Sequence, residues 1–147
     1  MFRGHHPTRV DDKGRFKVPA EYKREIDESY GAKFYITSRD GKIAWVYPLE
    51  LWEKVEREML AQRPATPALR DFLDATSYYG QVVEIDAQGR LLLPSLLREK
   101  ADLKGDVAVV GKLERLEVRN AEEYRKQVEG HQPTAADDAE LAKFIIL

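Results

Sequence analysis

The chain lacks cysteine, has only two methionines among its 147 residues, and contains no long apolar run. The absence of cysteine excludes disulfides, cysteine nucleophiles and thiolate metal sites, and it fits a reducing cytosol. No stretch approaches the roughly 18 apolar residues of a membrane span, and the first residues lack the apolar core of a signal peptide, so we expect a cytoplasmic protein. The chain also has no excess of positive charge, because its formal net charge is −2. Attraction to nucleic acid must therefore come from a local patch or from repeated copies of a weak one.

The most informative feature present is the pattern Asp-x-x-Gly-Arg-x-x-x-Pro, which occurs twice with a spacing of 75 residues. Its residues are Asp11, Gly14, Arg15 and Pro19 in the first copy and Asp86, Gly89, Arg90 and Pro94 in the second. The pattern has a physical reason, since Asp accepts hydrogen bonds from backbone N–H groups of a turn and Gly allows the chain to reverse. The repetition indicates that one structural unit is used twice.

Each copy is predicted to begin a unit of the order strand, turn, strand, helix, hairpin. The two strands around the turn are expected to form a hairpin or a tight crossover. In the first unit the predicted elements are strands 8–10 and 16–18, a helix over 20–28, and strands 33–38 and 43–47. In the second they are strands 81–85 and 90–93, a helix after Pro94, and strands 107–111 and 115–119. Pro19 and Pro48 are each expected to open a helix, since Pro is tolerated in the first helical turn.

Further helices are predicted between and after the two units. One follows Pro48, and another follows the Pro-rich break at 63–67. Asn120 is expected to cap a helix, and Thr134 with Asp137 resembles a capping box for a last helix that ends in the apolar residues 144–147. An apolar terminus of this kind is expected to dock on its own core or on a neighbouring subunit.

The two copies are expected to share a scaffold and to differ in charge. Alternation along a strand places Phe16 and Val18 on one face and Arg15 and Lys17 on the other. In the second copy Leu92 replaces Lys17, so that Arg90 is the only cation on its face. Each Arg has two open roles: it can pair with a motif Asp, a role favoured more for Arg90 than for Arg15, or it can recognise phosphate or a guanine edge.

The chain resembles the MraZ family of bacterial transcriptional regulators over nearly its whole length. The residues that carry the resemblance are Met1-Phe2-Arg3-Gly4, the segment 11–19, Val46-Tyr47-Pro48 before Trp52, and the segment 86–94. The resemblance implies an α+β fold in which two tandem SpoVT-AbrB-type repeats form one pseudo-symmetric, swapped-hairpin (AbrB-like) β-barrel with peripheral helices. The repeats are placed at 5–51 and 81–124, with a helical connector at 52–80 and a C-terminal helical segment at 125–147.

The resemblance also implies a function. Barrels are expected to associate into a homo-oligomeric ring that binds direct repeats in double-stranded DNA upstream of its own operon for cell division and wall synthesis, usually as a repressor. Carried over residue by residue, the DNA-contacting loop falls on Lys13, Gly14 and Arg15, with Lys17, Arg9 and Arg3 nearby in sequence. Arg90 is expected to be scaffold or a subunit contact that can also meet DNA. Asp11, Pro19, Asp86, Gly89 and Pro94 are expected to be structural.

Other functions are weaker interpretations of the same residues. The carboxylates Asp11, Asp12 and Asp86 could serve an enzyme, but no phosphate loop, nucleophile elbow or His-x-x-x-His pair accompanies them. A ring scaffold that binds proteins remains the alternative, although it would not need the cationic N-terminal segment 3–17, in which five Lys or Arg residues stand against two Asp residues. His5 and His6 are interpreted as surface residues rather than a metal site. We therefore expect a nucleoid-associated regulator without catalytic residues, cofactor, metal or small-molecule substrate.

The aromatic residues and the charged helix also have an interpretation from the sequence. Trp45, Trp52 and Tyr47 are predicted to belong to the core rather than to a base-stacking platform. The charged run at 53–58 is interpreted as a solvated helix face.

Overall fold

A computed structural model describes residues 1–147 as eight strands and six helices. The first half contains β1 (His5–Val10), β2 (Arg15–Lys17), α1 (Ala20–Ser29), β3 (Lys33–Thr37), β4 (Ala44–Pro48), α2 (Leu49–Leu60) and α3 (Pro67–Tyr78). The second half contains β5 (Gln81–Glu84), β6 (Arg90–Leu92), α4 (Ser95–Lys100), β7 (Gly105–Gly111), β8 (Leu116–Asn120), α5 (Ala121–Gly130) and α6 (Ala135–Leu141). The predicted element order is confirmed in both units.

The strands form one nearly closed antiparallel barrel in which each repeat is completed by the other. The order is β5-β3-β4-β8-β7-β1-β2-β6. β1 pairs along its whole length with β7 of the second repeat, and β5 pairs in the same way with β3 of the first. These exchanged pairings confirm the pseudo-symmetric, swapped-hairpin α+β barrel.

The strands on either side of the first motif turn do not form an ordinary hairpin. β1 and β2 share one residue pair, Val10 with Phe16, whereas all three residues of β2 pair with β6. The turn is therefore a crossover, which was one of the two expectations. β1 also begins earlier than predicted, at His5, because its partner β7 lies far away in sequence and extends the ladder.

The inward face of β2 and β6 lies at the centre of the core. Phe16 and Leu91 are cross-strand partners, and both side chains are completely buried. Val18 and Leu93, which follow them, are at most 1% exposed. Tyr22 and Ile26 of α1 and Leu97 of α4 cover them. The predicted alternation of inward apolar and outward cationic residues is confirmed.

Both predicted helix-opening prolines lie one position earlier than expected. Pro19 and Pro48 are N-cap residues with extended ψ angles of 141° and 135°, rather than first helical residues. The side chain of Asn120 caps α5, and Thr134 and Asp137 form the predicted capping box of α6.

Trp52 and Tyr47 belong to the interior, as predicted, and are 3% and 7% exposed. Tyr35 stacks on Trp52 with ring centroids 4.8 Å apart. Trp45 is half-buried under the guanidinium of Arg115 at 4.4 Å. The charged residues 53, 54 and 56–58 of α2 are exposed, which confirms the solvated face.

The C-terminal residues depart from the expectation that the last helix includes them. α6 ends at Leu141, and the four residues that follow Lys143 lie outside it. Phe144, Ile145, Ile146 and Leu147 are 69%, 47%, 100% and 71% exposed, so this apolar tail is not docked on its own core. No helix of the protein is both long enough and apolar enough to cross a membrane.

Candidate nucleic-acid interface

The first motif forms a closed loop, residues 11–15, in which Asp11 fixes the direction of Arg15. One carboxylate oxygen of Asp11 accepts hydrogen bonds from the backbone N–H groups of Lys13 at 3.0 Å and of Arg15 at 2.9 Å. The other accepts from Arg15 Nε at 2.9 Å. Gly14 has a φ of 85° and donates to the Asp11 carbonyl at 2.9 Å. The Arg side chain is therefore held by its Nε atom, with both terminal nitrogens left without a protein partner.

The second loop, residues 86–90, has the same geometry. Asp86 accepts from the backbone N–H groups of Gln88 and Arg90 and from Arg90 Nε, each at 2.9 Å, and Gly89 has a φ of 77°. The Asp pair, which the sequence favoured more for Arg90 than for Arg15, is made by both arginines at the same distance of 2.9 Å. An Arg that is paired through Nε alone can still present its two terminal nitrogens to phosphate or to a guanine edge.

Hydrogen bonding keeps both loop carboxylates ionised. Donation from the Arg15 backbone N–H, followed by donation from its side chain, lowers the pKa of Asp11 below its usual 3.8. The equivalent bonds from Arg90 lower the pKa of Asp86 in the same way. The loops therefore keep their shape at neutral pH.

The two loops are joined by the β2–β6 ribbon, which ties each motif to the other. Val18 N–H donates to the Gly89 carbonyl and Leu93 N–H donates to the Gly14 carbonyl, each at 2.9 Å. These reciprocal bonds place both loops at the same ribbon.

The register of this ribbon brings three cations to one outward surface. Lys17 is the cross-strand partner of Arg90, and Arg15 is the partner of Leu92. Cross-strand partners share a face, with Cβ atoms about 5 Å apart, so Arg15, Lys17, Arg90 and Leu92 form what we call the ribbon face. Arg90 therefore lies beside the cations of the first motif rather than on a separate scaffold surface.

The ribbon face is poorly neutralised by the protein. Lys17 and Lys13 are exposed and make no ion pair, and Lys17 lies opposite Arg90, a like-charge arrangement that costs stability. Each loop aspartate compensates only its own arginine. An external polyanion would remove this repulsion.

Two predicted DNA-binding residues, Arg9 on β1 and Arg3 before it, are not part of the β2–β6 ribbon. Arg9 is paired across the sheet with Asp106 at 2.7 Å, so its charge is locally compensated. Arg3 precedes β1, and the six residues of that strand separate it from the first loop by roughly 20 Å of extended chain. For Arg3, nearness in sequence does not become nearness in space, because β1 is extended.

The structure adds two cations that the sequence interpretation missed. Lys23 of α1 and Arg98 of α4 are 75 residues apart, which is the spacing of the motif itself. A side chain added at Gly14 would overlap the Arg98 guanidinium, and one added at Gly89 would approach Lys23 Cε to 3.8 Å. Each loop is therefore covered by a cation from the helix of the other repeat. The repeat spacing was the signal that could have found the pair.

The two N-terminal histidines are engaged by protein groups. His6 Nε2 lies 3.2 Å from a carboxylate oxygen of Glu21, and its ring packs edge-on against Tyr22. The ring of His5 packs edge-on against Tyr124.

Comparison with known proteins gives matches over nearly the whole chain. A family model described as "MraZ protein, putative antitoxin-like" matches residues 1–75 and 80–145. A protein of Acidobacterium capsulatum named Transcriptional regulator MraZ is 57% identical over 145 residues, which cover 98% of this chain and 99% of that protein. Proteins of the same name from Koribacter versatilis and Chromobacterium violaceum are 50% and 34% identical, over 97% and 92% of this chain and 97% and 90% of their own lengths.

Proposed function

The chain belongs to the MraZ family, and from that premise we propose that this non-enzymatic transcriptional regulator acts by binding double-stranded DNA through the ribbon face and its two loops. The observation that carries the proposal is the cationic surface formed by Arg15, Lys17 and Arg90 across two paired strands. A two-stranded ribbon fits the major groove of B-DNA, where arginine can bond both acceptors of a guanine edge. Both arginines are oriented before DNA arrives, which lowers the entropy lost on binding.

Within this site the residues have different roles. Arg15 and Arg90 make bidentate hydrogen bonds through their terminal nitrogens. The ammonium groups of Lys13 and Lys17, which have no ion pair within the protein, attract nearby phosphates. Gly14 supplies the positive φ that lets the first loop reverse direction. Arg3 and Arg9 lie outside this constellation and are not assigned direct contacts.

We further propose that several copies of the chain act together as a ring, repressing the operon for cell division and wall synthesis from direct repeats upstream of it. The uncovered apolar tail at 144–147 supports association between copies, because exposed apolar patches mark interaction sites. With a net charge of −2, one chain has little general attraction for DNA. Affinity would arise when neighbouring copies engage successive repeats. We accordingly propose that the regulator acts at the nucleoid in the cytoplasm.

The direct test is a titration of labelled upstream DNA with wild type and Arg15→Ala at several salt concentrations. We expect Arg15→Ala to weaken binding by about tenfold or more and to reduce the dependence of affinity on salt, since one phosphate or base contact per engaged copy is lost. Arg125→Ala is the control, because Arg125 pairs with Glu122 on α5 and lies outside the ribbon. Equal binding by wild type and Arg15→Ala would refute the loop assignment. No shift by wild type at micromolar protein and low salt would favour a protein-binding scaffold.

A further inference from the structure

We infer that Arg98, from the second repeat, is a DNA-phosphate ligand at the first loop, a role that rests on the proposed function. Arg98 lies against Gly14, so close that any side chain at that position would overlap its guanidinium. The first loop would thus be completed by a residue more than 80 positions away along the chain, from the other half of the barrel.

The guanidinium of Arg98 has no partner within the protein. Its Nε atom is shielded from solvent without a hydrogen bond, and the side chain makes no ion pair. Buried guanidinium nitrogens are normally satisfied, because desolvation without a bond costs free energy. The two terminal nitrogens of Arg98 are unpartnered but not shielded in this way, so they are the atoms that can bond an anion arriving beside Arg15 and Lys13.

The equivalent position in the first repeat shows why Arg98 is free. Lys23 bonds both carboxylate oxygens of Asp27, at 2.6 and 2.7 Å, as an i, i+4 pair within α1. The second repeat contains the corresponding pair in sequence, Arg98 and Asp102. The pair does not form there, although the residue types and the spacing allow it.

The cause is the early end of α4. This helix stops at Lys100, and Asp102 adopts a φ of 52° while Leu103 N–H closes the end on the Arg98 carbonyl at 2.9 Å. Asp102 is thereby turned off the helix face, and its carboxylate and carbonyl accept hydrogen bonds from Asn120. The carboxylate that would neutralise Arg98 is engaged elsewhere, whereas the one that neutralises Lys23 remains in place.

Arg98→Gln separates a direct phosphate contact from support of the loop. A direct contact releases counterions, so the slope of log affinity against log salt should fall by about 0.9 for each engaged copy, with an affinity loss of about tenfold at low salt. Arg98→Lys should restore most of the slope. Lys100→Gln removes the same charge from the same helix, two residues along and therefore on another face, and should leave the slope unchanged.

The measurement is fluorescence anisotropy with a duplex carrying a single upstream repeat, and far-UV melting verifies that each variant is folded. Two results for Arg98→Gln overturn the inference: unchanged affinity and slope, or weaker binding with an unchanged slope, which would make Arg98 only a support for the loop. Wild type and Arg15→Ala in the same titration report on the proposed function separately. If wild type does not bind the duplex, the proposed function is refuted, and the role of Arg98 as a phosphate ligand is refuted with it.

Discussion

At the scale of single residues, the motif aspartate converts a flexible arginine into a fixed ligand. Asp11 bonds two backbone N–H groups and one guanidinium nitrogen, and Asp86 does the same in the second loop. Arginine normally loses considerable side-chain entropy when it is ordered. Here the side chain is already ordered by folding, so little further entropy is lost on binding. The same bonds depend on ionised carboxylates, which links the shape of the site to pH.

Acid should therefore remove the stabilisation that the two aspartates provide. Their pKa values are lowered in the folded protein from the usual 3.8, so their contribution is complete above that value and disappears as pH falls through the folded-state pKa. We expect the double variant Asp11→Asn, Asp86→Asn to melt at a lower temperature than wild type near neutral pH. The difference in melting temperature between the double variant and wild type should decrease steadily below about pH 4.

Thermal unfolding followed by circular dichroism from about pH 6.5 down to about pH 2.5 measures this gap across the relevant window. Asp12→Asn is the matched control, since Asp12 is exposed in the same loop and makes no hydrogen bond to it. A gap between wild type and the double variant that stays constant with pH would contradict the linkage.

At the scale of structural elements, the two loops are equivalent in their backbone and different in what covers them. Gly14 and Gly89 both have a positive φ, which side chains other than Gly rarely adopt. Over Gly14 lies the Arg98 guanidinium, and over Gly89 lies only the end of a flexible lysine at ordinary contact distance. The difference arises from the two helices, which have ten residues in α1 and six in α4.

This asymmetry predicts different results for the same substitution. Gly89→Ala should cost about 1–2 kcal/mol in free energy of unfolding, the usual strain of a left-handed residue. Gly14→Ala should cost more, because its Cβ also displaces Arg98. It should weaken DNA binding as well. Urea unfolding and DNA titration of both variants check this, and equal losses of stability with equal affinities would show that the cover over Gly14 has no consequence.

Local features of the fold could be predicted from the sequence, because their causes are local. The turn chemistry of Asp and Gly, the alternation of Phe16 and Arg15, and the caps Asn120 and Thr134 each depend on a few neighbouring residues. The element order follows from these signals together with the repeat spacing.

The composition of the site could not be predicted in the same way, because it depends on contacts between distant residues. That Arg90 lies beside Lys17 follows from the β2–β6 register, which no local pattern specifies. That Arg98 is free follows from the backbone of Asp102, a residue whose sequence position suggests an ion pair. The swapped pairing of β1 with β7 likewise follows from no local pattern, and the sequence indicated it only through the family resemblance.

At the scale of the whole molecule, a weak cationic site is combined with an overall net charge of −2. A single copy can therefore be expected to bind DNA locally and with strong dependence on salt. The pseudo-symmetric barrel presents its ribbon face once per chain. If the proposed function holds, we therefore expect tight binding to need several chains. The apolar tail at 144–147, exposed on every copy, is the surface that we expect to hold neighbouring chains together.

Removal of residues 144–147 should therefore affect binding to several repeats much more than binding to one. We expect wild type to bind a duplex with four repeats at least about 100-fold tighter than one of equal length with a single repeat, as effective concentration predicts. The shortened chain should keep its single-repeat affinity, because the ribbon face is unchanged. It should lose most of the extra affinity for four repeats and show a smaller mass by light scattering.

Lys143→Ala, which leaves the apolar residues intact and removes only a surface pair with Glu140, should behave as wild type. For the shortened chain, an unchanged mass and an unchanged ratio of the two affinities would place the contact between copies elsewhere on the barrel.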